Sequence, residues 1–403
     1  MNIPKLRFKD NNGNDYPQWN HSSFYNTFNF LSTNNYSRND MNSINGNIRN
    51  IHYGDILTKF NYIINTEKDI LPYLNDNIII KNLPNYIIQS GDIVIADTAE
   101  DYTTGKTCEI INSNNQLVVA GLHTMLCRPK QNIFALGFLG YFMNSNIYHN
   151  QLLPLITGIK VYSIIKKEII KTKISIPFIE EQKKIAKFLT TVDKKIENIE
   201  NTITSLENQI KGLLQQIFSQ KLRFKDKNGN NYPNWEKKKI GLICSISTGK
   251  SNTQDKIDNG KYPFYVRSAT IERSSKYLYD EEATLTVGDG VGTGKVFHYV
   301  NGKYDLHQRC YRMFNFKNTH AKYFYYFFSS HFYNRVKRMS AKNSVDSVRM
   351  NMISDMIIDL PCLEEQTKIA DFLSAFDRKL DNQKAQLEHW QQIKKGLLQQ
   401  MFV

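Results

Sequence analysis

The sequence has few cysteines, no long hydrophobic run and a shortage of negative charge. Its five cysteines are Cys108, Cys127, Cys244, Cys310 and Cys362. No two of them form a Cys-x-x-Cys pair, which argues against a zinc site and a disulfide framework and fits a reducing compartment. No apolar signal core opens the chain, and the longest strongly apolar run, at 134–143, is too short to span a bilayer. We therefore expect a soluble, cytoplasmic protein without a membrane partner.

The positive charge is what the sequence has in excess. Lysine and arginine number 52 against 38 acidic residues, which gives a formal net charge of +14. Such an excess is typical of proteins with an anionic partner, and nucleic acid is the first candidate, before a membrane surface. A lysine-rich solvated surface would give the same total. The 403 residues suffice for two or three domains, each with its own core.

A short polar motif occurs twice. LRFKDNNGNDYPQW at 6–19 returns as LRFKDKNGNNYPNW at 222–235, with 11 of 14 residues identical. Its Asn-Gly turn and its Tyr-Pro and Trp residues indicate a structural hinge with a packing anchor.

The repeat extends well beyond this motif. Residues 180–218 match 364–402 without a gap, with 18 of 39 positions identical, and the same offset of 184 reaches back to about residue 123. The motif repeats at an offset of 216 residues, which is 32 more than 184. The segments 20–122 and 236–306 differ in length by the same 32 residues. Two copies of one large unit indicate a tandem duplication and not a solenoid.

The two matching segments at 180–218 and 364–402 carry a heptad pattern. Apolar residues alternate at steps of four and three, as in a coiled-coil seam. The first seam contains Ile185, Leu189, Val192, Ile196, Ile199, Ile203, Leu206 and Ile210, and the second contains Ile369, Leu373, Phe376, Leu380, Leu387 and Trp390. The second seam is interrupted at Gln383 and Lys394.

Each seam needs an apolar partner in water, and pairing within the chain is the simplest arrangement. Two units related by a pseudo-twofold axis would make the helices antiparallel, with the globular segments at opposite ends of a rod of about 60 Å. The alternative is that each seam pairs with another protein chain.

The segments between the helices are predicted to be mixed and rich in strands. The predicted strands lie in IIIKNLP, YIIQSGDIVIAD, QLVVAGLHTMLCRP, KYPFYVRSA, ATLTVGDG and GKVFHYV, and helical runs follow at 134–145 and 320–330. Both segments share an order of features. An Asp follows a strand in each segment (Asp97, Asp289). A loop then ends in Gly-Lys (105–106, 294–295), and a His-x₄-Arg pattern comes later (123–128, 307–312). A shared frame with different loops suits two surfaces that recognise different targets.

Several stretches resemble catalytic or nucleotide-binding motifs but lack residues that those motifs require. STGKS at 247–251 has Cys244 where a phosphate-binding loop requires glycine, and VGDGVGTGK at 287–295 misses both nucleotide-binding spacings. NYPNW lacks the second proline of an amino-methyltransferase signature, and no nuclease cluster of carboxylates and lysine is present. None of these motifs therefore points to a catalytic site or a metal site in this chain.

The complete arrangement resembles the specificity subunit of a type I restriction–modification system. The resemblance rests on the duplicated helix starts PFIEEQKKIAKFLTTVD (177–193) and PCLEEQTKIADFLSAFD (361–377), each following a variable segment, and on the LRFKD motifs before each variable segment. It covers essentially the whole chain.

The resemblance implies an α+β chain with two target recognition domains, one at each end of an intramolecular antiparallel coiled coil. The implied division is a motif at 1–19, a first recognition domain at 20–177, a first spacer helix at 178–220, a second motif and recognition domain at 221–361, and a second spacer helix at 362–403. Each recognition domain would read half of a bipartite, asymmetric sequence in double-stranded DNA.

The resemblance also implies partners that carry out the chemistry. Two modification subunits would methylate adenine N6 with S-adenosylmethionine, and restriction subunits would use ATP and Mg²⁺ to translocate and cut. This chain would bind none of these cofactors. The alternatives are a fused methyltransferase–nuclease and a coiled-coil adaptor that does not bind DNA.

The candidate DNA contacts lie in the divergent loops, because side chains at base edges specify sequence and lysines at phosphates position the protein. In the first domain they are Asp97, Thr98, Thr103, Thr104, Lys106 and Lys160. In the second domain they are Lys250, Arg267, Ser268, Asp289, Thr293, Lys295, His307, Gln308, Arg309, Lys342, Asn343 and Arg349. Of these, Lys160, Lys342, Asn343 and Arg349 are predicted to contact phosphates.

Overall fold

The computed structural model describes residues 4–113, 116–290, 292–339 and 347–402. The chain divides into two units. Unit 1 consists of Met1–Glu200 and Gln386–Val403, and unit 2 is Asn201–Ala385. Both boundaries fall inside the two long helices, so each unit contains a part of each helix. Among the described residues, no helix combines the length and the apolar character that a membrane crossing requires.

Within its described residues, unit 1 contains short strands and five short helices. Its strands are β1 (Asn20–Ser23), β2 (Phe28–Leu31), β3 (Met41–Asn42), β4 (Arg49–Ile51), β5 (Ile63–Asn65), β6 (Tyr73–Leu74), β7 (Ile93–Ala96), β8 (Thr98–Ala99), β9 (Thr107–Ile111), β10 (Val118–Ala120), β11 (Thr124–Pro129), β12 (Tyr162–Ser163) and β13 (Lys173–Ile176). Its short helices are α1 (Phe24–Thr27), α2 (Tyr53–Thr58), α3 (Phe138–Met143), α4 (Asn146–Leu152) and α5 (Lys166–Ile169), and the long α6 is Ile179–Phe218.

Unit 2 has fewer and longer strands. These are β14 (Glu236–Lys239), β15 (Ser245–Thr248), β16 (Tyr262–Tyr265), β17 (Ile271–Ser274), β18 (Tyr279–Val287), β19 (Phe297–Leu306), β20 (Cys310–Phe314) and β21 (Ile357–Leu360). Its helices are α7 (Ile240–Ile243), α8 (Ala321–Met339) and α9 (Met350–Ser354), and the long α10 is Leu363–Met401.

The core of unit 1 lies on both faces of a five-stranded sheet with the order β2-β11-β7-β9-β5. All four residues of β7 are buried, and they alternate between two clusters because successive side chains point to opposite faces. Ile93 and Ile95 pack with α3 and the start of α6, whereas Val94 and Ala96 pack beneath a second, four-stranded sheet, β10-β4-β6-β3.

Unit 2 has one six-stranded sheet instead, in the order β15-β20-β18-β19-β16-β17. The aromatic helix α8 covers one face, where Phe324, Phe328 and Phe332 are all fully buried. Among the described residues, unit 2 therefore has one sheet of more than two strands, whereas unit 1, with the longer variable segment, has two.

The predicted duplication is confirmed in the strand pairing. In unit 1, β1 pairs antiparallel with β13, with Asn20 opposite Ile176. In unit 2, β14 pairs antiparallel with β21, with Glu236 opposite Leu360. These positions are related by the offsets of 216 and 184 residues that the sequence shows.

The long helices pair within the chain, as predicted. In unit 1, Leu398 and Met401 of α10 join the cluster of Ile185 and Leu189 of α6. In unit 2, Ile217 at the end of α6 packs with Ile369 and Leu373 of α10. The seam residues are buried or half-buried, and each unit contains an antiparallel pair of helix segments.

The interruption of the second seam at Lys394 has a structural cause. Lys394 Nζ lies 2.6 Å from Asp193 Oδ1, and both side chains are less than one-fifth exposed. In unit 2, Lys384 Nζ lies 2.9 Å from Glu207 Oε1. At Lys394 a cation therefore replaces an apolar seam residue where the opposite helix segment supplies a carboxylate, whereas Lys384 lies beside the other interruption, at Gln383.

The LRFKD motif docks on the first turn of a long helix in both copies. Arg7 forms a bidentate pair with the fully buried Glu181 at 3.0 and 2.7 Å, and Trp19 Nε1 donates to the same carboxylate at 3.1 Å. Arg223, Trp235 and Glu365 repeat this arrangement.

The glutamine after each of these glutamates completes the motif. Gln182 donates to Pro177 O at 2.8 Å, and its Oε1 accepts from Ala135 N at 2.9 Å. Gln366 makes the corresponding bonds with Pro361 O and His320 N. The Glu-Glu-Gln motif thus joins the helix start to both the repeat motif and the globular domain.

Three of the secondary-structure predictions need correction. The helix predicted at 134–145 is confined to Phe138–Met143 and begins after Gly137, which has a left-handed backbone. IIIKNLP is not a strand, because Ile79 is 81% exposed and Leu83–Asn85 forms a 3₁₀ turn that contains Pro84. The helix predicted at 320–330 extends to Met339.

Candidate nucleic-acid interface

The end of β7 in unit 1 carries a small polar cluster. Thr98 donates its hydroxyl to Asp97 Oδ1 at 2.8 Å, and His123 Nδ1 lies 3.5 Å from the same oxygen. His123 has a φ of 54°, a value that is uncommon outside glycine and often marks a functional turn. The ring of Tyr53 lies edge-on to His123, with 5.2 Å between the centroids. The cluster offers both donors and acceptors to a ligand at this sheet edge.

A hairpin beside this cluster presents apolar and basic side chains. Thr157 and Ser163 exchange backbone hydrogen bonds at 2.9 and 2.8 Å, and β12 pairs with β8 next to Asp97. Ile159 is 91% exposed at the tip, next to the exposed Lys160. Lys160 is exposed and stays a predicted phosphate contact, and Ile159 was not among the predicted contacts.

Two predicted contacts of unit 1 point inward. Thr104 is fully buried, and its hydroxyl donates to the carbonyls of Asp101 and Tyr162, both at 3.2 Å. Lys106 Nζ donates to the carbonyls of Leu57 and Phe60 at 3.2 and 2.8 Å, and burial lowers its pKa. We no longer expect base contacts from these two side chains. Thr103 is exposed and remains a candidate.

The corresponding strand end of unit 2 is strongly basic. Asp289 follows β18, and its carboxylate oxygens lie 3.5 Å from Arg267 Nη1 and 3.7 Å from Arg309 Nε. The arginine side chains are 48% and 65% exposed. Three predicted contacts, Arg267, Asp289 and Arg309, are therefore brought together at one sheet edge.

His307 supports this edge from below. It is 4% exposed, and its Nδ1 accepts from Arg309 N at 3.0 Å. Burial lowers the pKa of His307, with further contributions from the nearby Arg267 and Arg309, so the imidazole is neutral and can accept this bond. We therefore assign His307 a positioning role and not the predicted base contact.

The other predicted residues of unit 2 divide by exposure. Thr293 is buried, and its hydroxyl donates to Gly290 O at 2.5 Å, so it too is unavailable to DNA. Gln308 is exposed and donates to Asn252 Oδ1. The remaining exposed candidates are Lys250, Ser268, Lys295 and Arg349. Lys342 and Asn343 lie outside the described residues.

A basic residue that was not among the predicted contacts, Arg38, lies beside the unit 1 cluster. Arg38 Nη1 lies 2.9 Å from Asp55 Oδ2, and its other nitrogen lies 3.4 Å from His52 Nδ1. The ring of His52 is tilted against that of Tyr53, with 4.5 Å between the centroids, and Tyr53 in turn contacts His123. Arg38 lies in the variable segment without a counterpart in the second copy, so the repeat gave no signal for it.

The described ranges contain no group of three or more His, Cys, Asp or Glu side chains with the geometry of a metal site. The arginines of the His-x₄-Arg pattern serve the fold: Arg128 pairs with Asp92 at 2.7 Å, and Arg312 pairs with Glu281 at 2.5 Å.

Comparison with protein families matches most of the chain. The family model described as "Type I restriction modification DNA specificity domain" matches residues 2–208 and 232–389. The chain is 23% identical over 369 residues to the putative type I restriction enzyme MjaX specificity subunit of Methanocaldococcus jannaschii, with 85% of each chain covered. It is 25% identical over 165 residues to the type I restriction enzyme EcoDI specificity subunit of Escherichia coli, which is 41% of this chain and 36% of that subunit.

Two solved structures share the fold. The crystal structure of the type I restriction–modification system S subunit from M. genitalium superposes with a TM-score of 0.64 at 14% identity, covering 99% of both chains. A chain from a structural study of complex assembly and conformational transition of the type I R-M system superposes with a TM-score of 0.55 at 15% identity, covering 96% of this chain and 98% of that one.

Proposed function

This chain belongs to the family of type I restriction–modification DNA specificity domains, of which it carries two in tandem, and we propose that each unit reads one half of a split DNA sequence. The observation that carries the proposal is the match of that family model to both copies of the repeat. The two different polar strand ends, at Asp97 and at Asp289, support it. One frame with two sets of loops suits an asymmetric bipartite target.

In this proposal the chain performs no catalysis. It would dock modification subunits that methylate adenine N6 with S-adenosylmethionine, and restriction subunits that require ATP and Mg²⁺. The long helices would be both the docking surface and the spacer between the two readers. The exposed lysines would contact phosphates, which position the protein without reading sequence.

The direct test is selection of DNA from a random duplex library by the full chain, co-expressed with its modification subunits. We expect a motif with two specified halves and an unspecified spacer. Affinity should fall steeply with salt, because each neutralised phosphate releases counterions. Recovery of no motif, with binding insensitive to salt, would instead favour a coiled-coil adaptor.

A second measurement addresses the enzyme alternative. The purified chain alone is irradiated with labelled S-adenosylmethionine, with its modification subunits as the positive control. We expect label on the modification subunits and none on this chain. Specific labelling of this chain would contradict the non-catalytic assignment.

A further inference from the structure

The arginines of unit 2 divide into those that the fold uses and those that it leaves available. Arg273 donates to Gly260 O at 2.8 Å, Arg312 to Glu281 at 2.5 Å, and Arg335 to Met352 O at 2.8 Å. Within the described ranges, by contrast, the guanidinium groups of Arg267 and Arg309 approach Asp289 only at 3.5 and 3.7 Å, without the geometry of a hydrogen bond. Their donors are therefore available to an external acceptor.

The backbone around this pair is held firmly. Gly288 N donates to Arg309 O at 2.8 Å, and Arg309 N donates to His307 Nδ1 at 3.0 Å. A Cβ at Gly288 would lie 2.6 Å from Arg309 O, so this close approach requires glycine. Cys310 Sγ donates to Val266 O at 3.4 Å, which ties the residue before Arg267 to the same edge. Because the backbone of this pair is already fixed, binding a ligand through the exposed guanidinium groups would cost little further ordering.

We propose that Arg267 and Arg309 read guanine in the half-site of unit 2, and that Asp289 is the positioning residue between them. A guanidinium group matches O6 and N7 of guanine in the major groove with two parallel hydrogen bonds, and this is the commonest specific contact of arginine with DNA. Asp289 keeps both guanidinium groups at one strand end and limits their rotamers. The inference rests on the proposed DNA-reading function.

Unit 1 differs at the corresponding position. There Asp97 faces Thr98 and His123, and Arg38 is engaged with Asp55. The same frame therefore carries two arginines in unit 2 and a threonine–histidine pair in unit 1. We expect the arginine-dependent guanine preference in one half-site only.

The competing interpretation is that the two arginines contact phosphates. Replacement by lysine separates the two interpretations, because lysine keeps the charge for a phosphate but loses the bidentate donor geometry. The variants are Arg267→Lys, Arg309→Lys and Asp289→Asn. The control is Arg338→Lys, a change at an exposed arginine of the same unit.

The experiment is library selection by the full chain with its modification subunits, with base frequencies scored at each position. The wild-type complex should require guanine at one or two positions of one half-site. Each lysine variant should lose roughly 5- to 150-fold of that preference at its own position and retain the other half-site. Asp289→Asn should weaken the guanine preference at both positions. A purely structural defect would instead weaken the selection of every base in the half-site. Thermal melting and co-purification confirm that each variant is folded.

The outcomes separate failure of this inference from failure of the proposed function. A wild-type motif without guanine, or lysine variants with unchanged base frequencies or a uniform loss of affinity, would overturn the guanine assignment and leave the bipartite reader intact. If the wild-type complex selects no motif at all, the proposed function itself fails.

Discussion

A single buried carboxylate in each unit holds the repeat motif on the first turn of the long helix. Glu181 and Glu365 are fully buried, and each accepts two bonds from an arginine and one from a tryptophan. Such a pair contributes net stability only while both charges are present, since a lone buried carboxylate has lost its hydration. The LRFKD motif is therefore a structural clamp on the helix start, in agreement with the hinge that its placement in the sequence predicts.

Removing the arginine of this clamp should destabilise unit 2 without altering what it reads. Arg223→Ala leaves Glu365 buried with only Trp235 as a donor, and we expect a loss of about 3 kcal/mol in the free energy of opening. Hydrogen exchange of peptides from unit 2 measures this loss. Adding Glu365→Gln should recover part of it, and Lys227→Ala, at an exposed residue of the same motif, should have no effect. A fully stable Arg223→Ala variant with weakened DNA binding would show that the motif contacts DNA.

Glu109 makes the stability of unit 1 depend on pH. It is buried beneath α3, accepts from Gly137 N and Gly140 N at 2.7 and 2.8 Å, and burial raises its pKa to about 7. The unfolded chain loses this proton at an ordinary carboxyl pKa of 4.5, so the folded state binds more protons between about pH 4.5 and 7. The free energy of unfolding should therefore fall as pH rises through this window.

Thermal melting of wild type and Glu109→Gln at several pH values isolates this contribution, because other titrating groups are common to both proteins. The melting temperature of the wild type, taken relative to that of the variant, should fall as pH rises from about 4.5 to 7, because only the wild type loses the Glu109 proton. Glu100→Gln, at an exposed position of unit 1, is the matched control. Parallel pH profiles for all three proteins would contradict the assignment.

At the scale of elements, the heptad seams determine how the helices pair. Ile199 and Leu206 are 3% and 2% exposed, while their neighbours on the outer face of α6 are exposed. Most helical stability comes from such packing and not from intrinsic propensity, so the seam is where a single change should have the largest effect.

Leu206→Asp places a carboxylate in this buried seam and should abolish co-purification with the modification subunits. A charge without a partner in an apolar interface costs several kcal/mol. Asn208→Asp adds the same charge at an exposed position of the same helix and should co-purify normally. If Leu206→Asp also co-purifies normally, the seam does not support the docking surface.

The elements that the sequence revealed are those with a strong period or a repeat. Alternating steps of four and three located both long helices, and the two offsets located the paired strands β1–β13 and β14–β21. IIIKNLP was mistaken for a strand because hydrophobicity does not show that Ile79 has no neighbouring strand. The pairing of Glu181 with Arg7 could not be predicted either, because the two residues are 174 positions apart in the chain.

Site residues were harder to predict than elements, because burial depends on packing that composition does not contain. Thr104 and Arg309 both lie in polar loops, yet one is fully buried and the other is 65% exposed. The register of the repeat can also be wrong by one residue. It aligns Tyr141 with Tyr325 and Asp193 with Asp377. Tyr141 donates to Asp193, but in the second copy Tyr326, and not Tyr325, donates to Asp377.

At the scale of the whole molecule, one gene has been duplicated and its two loop sets have diverged on a retained frame. The retained parts are the clamp, the paired strands and the seamed helices. The divergent parts are the strand ends at Asp97 and Asp289, together with the additional sheet of unit 1. This division between constant and variable parts is the physical basis of the central claim that the chain is a DNA reader with two independent recognition units.

The most direct test of that claim is the map of methylated adenines in the host genome. It is compared among wild type, a deletion of this gene and a chimera in which residues 236–356 come from another member of the family. We expect a split motif that disappears on deletion and that changes in only one of its halves in the chimera. Methylation that persists after deletion, or a chimera in which both halves change together, would contradict it.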